Sequence, residues 1–176
     1  GEWLLALLTH HIVEDNYSKQ LMLKEAELLL QGQGDALPAP MPYRNFIART
    51  VAAPEQQHEA WFRERFGDVD ELTAPFGVLD VQVDGARANE SRVEFADAFA
   101  VRVRETARRW GVTPSVLFHL AWARVLGQCS GRDDVVFGTV LSGRMQGSEG
   151  ADQVVGMFLN TLPVRVGMAG RDVGQA

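Results

Sequence analysis

The chain has 176 residues, 46% of them hydrophobic and 23% charged, with a formal net charge of −6. That length and apolar share support one full-sized core, and dispersed acidic charge lacks the basic stripe that nucleic-acid binding needs. The single cysteine, Cys129, excludes an internal disulfide and fits a reducing, cytoplasmic setting; no segment approaches the ~20 apolar residues of a membrane span.

Residues 3–9 (WLLALLT) form a short apolar run that stops at His10 and His11, and a run so bounded predicts a buried strand. Asn16 is the expected N-cap of a helix reaching about Gln31. Its apolar residues cover most of the circumference, with Gln20, Lys24, Glu27 and Gln31 as one wet stripe, so a core helix is expected. Gly32 and Gly34 end it, and Pro38, Pro40 and Pro42 predict an extended loop. A short helix is expected from Tyr43 and another from Pro54 to about Gly67, with Trp61, Phe62 and Phe66 as packing residues.

Residues 67–90 are loosely patterned and predict a crossing segment. Ser91 to Phe95 alternates like a strand, and Asp97 is placed to cap a helix with Phe99, Val103, Ala107 and Trp110 on its apolar face. The arginines of that helix read as a solvated face. Gly111 stops it; Thr113 and Pro114 open the next helix, whose run 116–126 is nearly all apolar and is expected to be buried, with His119 as a core residue. Residues 135–141 predict a second buried strand, residues 142–150 a glycine-rich loop, and a last strand is expected after Pro163. Alternating helices and strands without repeats give an α/β or α+β class with a mixed sheet.

Several chemistries lack their signatures. The chain has no G-x-S-x-G elbow, no phosphate-binding P-loop and no G-x-G-x-x-G register. Metal binding is also disfavoured. Adjacent strand residues point to opposite faces, so His10 and His11 would not share one ion. What remains is one histidine facing a cavity, as a base or as a hydrogen-bond partner for developing charge, with its neighbour packed beneath. Asp15 is expected to pair with an arginine and hold the turn. Such a site has no nucleophile of its own and suits transfer from an activated acyl donor to an incoming amine or alcohol.

The run HHIVEDN over residues 10–16 resembles the HHxxxDG motif of the chloramphenicol acetyltransferase-like superfamily. YRNF at 43–46, RDDVVFGTVLSGR at 132–144 and VGMFLNTLPVR at 155–165 resemble, in order and spacing, condensation domains of nonribosomal peptide synthetases. The resemblance implies a mixed-sheet chloramphenicol acetyltransferase-like fold, present here as incomplete parts of two lobes. Residues 1–66 are expected to end the N-terminal lobe, 67–90 to cross, and 91–176 to begin the C-terminal lobe. The start without Met and the glycine-rich end lead to the same expectation of a fragment, which alone is expected neither to catalyse nor to fold stably.

The implied reaction is amide formation between an acyl or peptidyl thioester and an aminoacyl acceptor. Both are carried on phosphopantetheine arms of carrier proteins, beside an adenylation domain, in secondary-metabolite biosynthesis. His11 matches the active-site histidine, His10 its structural neighbour, and Asp15 the aspartate that pairs with arginine. That arginine is expected upstream of Gly1, with Arg144 and Arg165 as local candidates. Asn160, Arg144 and Arg165 are also candidate tunnel or lobe-interface residues. Asn16 stands where the motif has glycine, and asparagine is the next most tolerant residue at positive φ. An epimerisation-type sibling and a non-catalytic carrier-docking module are the alternative readings.

Overall fold

The structure, a computed structural model, describes residues 4–52, 54–79, 90–146 and 150–170. Five helices, α1 (Asn16–Leu30), α2 (Arg44–Val51), α3 (Glu55–Phe66), α4 (Asp97–Trp110) and α5 (Pro114–Ser130), and two strands, β1 (Asp134–Ser142) and β2 (Leu159–Gly167), make up its longer elements. The chain divides into two compact units, one of residues 1–60 with 139–162 and the other of residues 61–138 with 163–176. Each unit is therefore assembled from two separate stretches.

In the first unit, α1 begins where Asp15 leaves extended backbone (φ −107°, ψ 173°) and its carboxylate accepts from the Ser18 N–H. Asp15, not Asn16, is thus the N-cap; Asn16 is the first helical residue, and its tolerance of positive φ is not called on. The apolar run before it is not a strand: residues 4–10 have no regular structure and are exposed, with Leu4 at 96% and Leu8 at 91%. A strand needs a neighbour to take its backbone groups, and none lies beside this run among the described residues. For the same reason α1 is not a core helix here, since only Ser18 is buried on it. The core of this unit is Ala151, Val154 and Phe158, with Tyr43 and Phe46 packed on it. The Phe46 and Phe158 ring centroids lie 4.5 Å apart and those of Tyr43 and Phe158 5.2 Å apart, edge-on. Gly143 N–H donates to Phe158 C=O at 2.8 Å.

In the second unit, Gly111 (φ 66°) and Gly131 (φ 68°) take the left-handed conformation that ends α4 and α5. The core gathers Ala123 and Leu126 of α5, Val135 of β1 and Val166 of β2. Burial on α5 is confined to Ala123, Leu126 and Gly127, so the expected all-round burial of run 116–126 fails; Phe118 and Trp122 remain about half exposed. His119 stacks on Phe137 with ring centroids 6.0 Å apart. Residues 91–95 are not a strand but exposed, irregular chain leading into α4, whose N-cap is Ala96 rather than Asp97. Met168 N–H donates to Asp133 C=O at 2.7 Å. With the Gly143–Phe158 bond this makes β1 and β2 antiparallel neighbours, and β2 begins at Leu159, four residues before Pro163, where the sequence placed its start. Part of the expected crossing, residues 80–89, and the ends of the chain at 1–3 and 171–176 lie outside the described residues, as do 147–149 of the expected loop.

Candidate active site

The candidate site lies in the first unit, at the turn between the exposed leader and α1. Val13 N–H donates to His10 C=O at 3.0 Å and closes the turn. The two imidazoles hold their protons differently. His11 Nδ1 lies 3.0 Å from the Glu14 carbonyl. A carbonyl only accepts, so Nδ1 carries the hydrogen, and in the neutral ring Nε2 presents a lone pair. His10 Nδ1 instead accepts from the Ile12 N–H at 3.1 Å. A neutral His10 therefore carries its proton on Nε2. Both rings are exposed. Neither packs into the core, and it is His10 that lines the neighbouring cavity of about 620 Å³. His10, expected to pack beneath its neighbour, is instead exposed at this cavity.

Four residues on, Asp15 is 2% exposed and is a hub. Its Oδ1 accepts from Ser18 N and Ser18 Oγ, both at 2.8 Å, and from Arg144 Nη2 at 2.9 Å. Its Oδ2 takes Arg144 Nε at 3.3 Å and the Phe158 N–H at 3.4 Å. Burial alone would raise the Asp15 carboxyl, but the Arg144 and Ser18 donors outweigh it and hold it below its ordinary value. The expectation of an arginine upstream of Gly1 is thereby corrected: the partner is Arg144, supplied from the turn that follows β1.

Arg144 is almost fully used. Nη1 donates to the carbonyls of Ala151 at 2.6 Å and Val154 at 2.7 Å, and Nη2 also reaches Ser18 Oγ at 2.9 Å. Its Cζ lies 3.9 Å from the Phe158 ring centroid, a cation–π contact. A planar fork with five donors suits this place, and a lysine could not fill it.

Ser18 was not singled out by the sequence. It is fully buried, and its hydroxyl also lies 2.9 Å from the Gly156 carbonyl and 3.0 Å from the Gly156 N–H. One small side chain so joins the helix start to a segment 138 residues away. The only local signal is its place three residues after an N-capping aspartate. Tyr43 donates its hydroxyl to the Met157 carbonyl; burial first, then the nearby Asp15 charge, raises its phenol. A side chain on Gly156 would run into the Tyr43 ring.

The other candidates are elsewhere. Asn160 sits exposed on β2, its Oδ1 accepting from the Thr161 N–H at 2.9 Å. Arg165 is no partner of Asp15. In the second unit it grips Asp134 (Nη2 to Oδ2, 2.6 Å) and Asp68 (Nη2 to Oδ2, 2.9 Å), and these bonds raise its own pKa and lower that of Asp68. Among the described residues no group of three or more His, Cys, Asp or Glu is placed to hold a metal ion, and no helix is long and apolar enough to cross a membrane.

The chain that builds this turn is matched by a family model. The model of the condensation domain covers residues 1–175. The chain belongs to the condensation domain family. Its relatives are similar over nearly all of this chain. Malpibaldin synthetase of Mortierella alpina is 42% identical over 94% of it, and surfactin synthase subunit 2 of Bacillus subtilis (strain 168) 31% identical over 89%. The condensation-domain chain spans only 3% and 4% of those two proteins. Among solved structures, SgcC5 from Streptomyces globisporus superposes with a TM-score of 0.72 at 20% identity, over 92% of this chain and 38% of that one. The first condensation domain of the CDA synthetase gives 0.65 at 22% identity, over 94% and 38%. These likenesses establish the fold as that of condensation domains, the chloramphenicol acetyltransferase-like class expected from the sequence.

Proposed function

We propose that this chain carries the reaction centre of a condensation enzyme that forms an amide between a carrier-bound acyl or peptidyl thioester and a carrier-bound aminoacyl amine. The observation that carries the reading is the His11 ring. Its Nδ1–H is fixed on the Glu14 carbonyl at 3.0 Å, which leaves Nε2 as an acceptor on an exposed face. The amine nitrogen attacks the thioester carbonyl, the C–S bond breaks, and the amine proton passes through His11 Nε2 to the departing sulfur. A thioester is already activated, so positioning and one base suffice. His10, with the opposite tautomer, holds the turn through Ile12, and Asp15 with Arg144 fixes the start of α1 beneath it.

The activity is proposed for the full-length protein, with carrier proteins and an adenylation domain as partners and the arms' phosphopantetheine as part of the substrates. The 176-residue chain alone leaves Leu30 at 90% exposure along with Leu4 and Leu8, and is proposed to be inactive. The test is His11→Ala in the full-length protein with two loaded carrier proteins. Amide formation is expected to fall at least ~100-fold, the lower range of general acid–base contributions, while carrier loading stays normal. Unchanged amide formation would remove His11 from the mechanism. Epimerised but uncondensed product would favour the sibling reaction.

A further inference from the structure

Beside the histidine turn, the cavity of about 620 Å³ holds a charge that the reaction does not use. Glu14 is 3% exposed, and among the described residues neither of its carboxylate oxygens has a hydrogen-bond donor. Lys19 Nζ stands 3.5 Å from Oε1. That is an ion pair but beyond hydrogen-bond length, and the Lys19 side chain is 40% exposed. A buried carboxylate is costly unless its lone pairs are filled. Around it the cavity is lined by Leu7, Leu8, Val13, Met22 and Val155, with Thr9 and His10 as its other polar members. An apolar wall leading to one unfilled anion fits a flexible aliphatic stem with a cationic end. The nearby Lys19 is itself such a group.

We propose that this cavity takes an acyl group whose side chain is an aliphatic chain ending in an ammonium, of the lysine or ornithine class, with Glu14 as its counter-ion; the assignment rests on reading the chain as an acyl-transfer site. The incoming ammonium displaces Lys19 into water and donates to the Glu14 oxygens. His10 lines the same cavity and, like His11, belongs to the turn that Glu14 ends. The side chain held by Glu14 thus sits beside His10, one residue from His11, and Glu14 acts as a specificity-determining residue.

The experiment is a titration of the full-length protein with Nα-acetyl-lysine methylamide and with its neutral isostere, Nα-acetyl-norleucine methylamide. The lysine probe is expected to bind roughly tenfold or more tightly, the range for hydrogen bonds to a charged group. Glu14→Gln should bring the two probes together, and Lys19→Met should strengthen the lysine probe by removing its competitor. Equal binding by the wild-type protein, a preference that survives Glu14→Gln, or lysine binding abolished by Lys19→Met would overturn the proposal. So would binding of neither probe, which would mean that another part of the protein fills the cavity. Should Glu14→Gln fail to fold, the wild-type ratio and Lys19→Met still decide. Lysine preference without amide formation would refute the reaction and leave the site; amide formation with equal binding would do the reverse.

Discussion

Two arginines in this chain grip carboxylates, in opposite surroundings. Arg144 and Asp15 face each other in the first unit with side-chain exposures of 8% and 4%. Arg165 in the second unit holds Asp68 and Asp134 with exposures of 26%, 70% and 43%. The chemistry of the fork is the same, and the dielectric is not. The buried pair is surrounded by further donors and acceptors, so removing either partner strands a charge. The exposed clamp exchanges protein for water whenever it opens. The difference marks the first pair as part of a positioned site and the second as a surface tie.

The largest expected effect breaks the buried member. In the full-length protein, Arg144→Ala should cost roughly 3–5 kcal/mol, the usual result of leaving one partner of a buried pair, and should reduce amide formation with it. A thermal or denaturant unfolding curve checks the first, and a loaded-carrier assay the second. Ser18→Ala comes next, at about 1–3 kcal/mol, because the Gly156 N–H and an Arg144 N–H lose a buried acceptor. The pH dependence sharpens the contrast. Asp15 has a folded pKa below its ordinary value, so its stabilising contribution is complete above about 3.9 and is lost as pH falls through the folded value. Asp15→Asn should flatten the acid limb of a stability-against-pH profile, and an unchanged limb would contradict the geometry. Arg165→Ala is expected to do least: a small fall in the unfolding midpoint that disappears at high salt.

Much of this was legible in the sequence, and the failures share one cause. The helices announced themselves through local devices: Pro114 in the first turn of α5, and Gly111 and Gly131 at the ends of α4 and α5. Asp15 was recognisable as the turn's anchor from its place after the two histidines. Its partner was not fixed, because Arg144 lies 129 residues on and nothing in a local pattern chooses among distant arginines. Ser18 went unnoticed for the same reason. The apolar runs at residues 3–9 and 116–126 predict burial because periodicity reports what a segment could bury. It does not report which neighbour covers it.

Everything proposed for catalysis passes through the tautomer of one ring. Selective 15N labelling of histidine in the full-length protein reports which nitrogen of each ring carries the hydrogen. The account predicts a protonated Nδ1 and a bare Nε2 for His11, with the reverse for His10. A protonated Nε2 on His11 would contradict it.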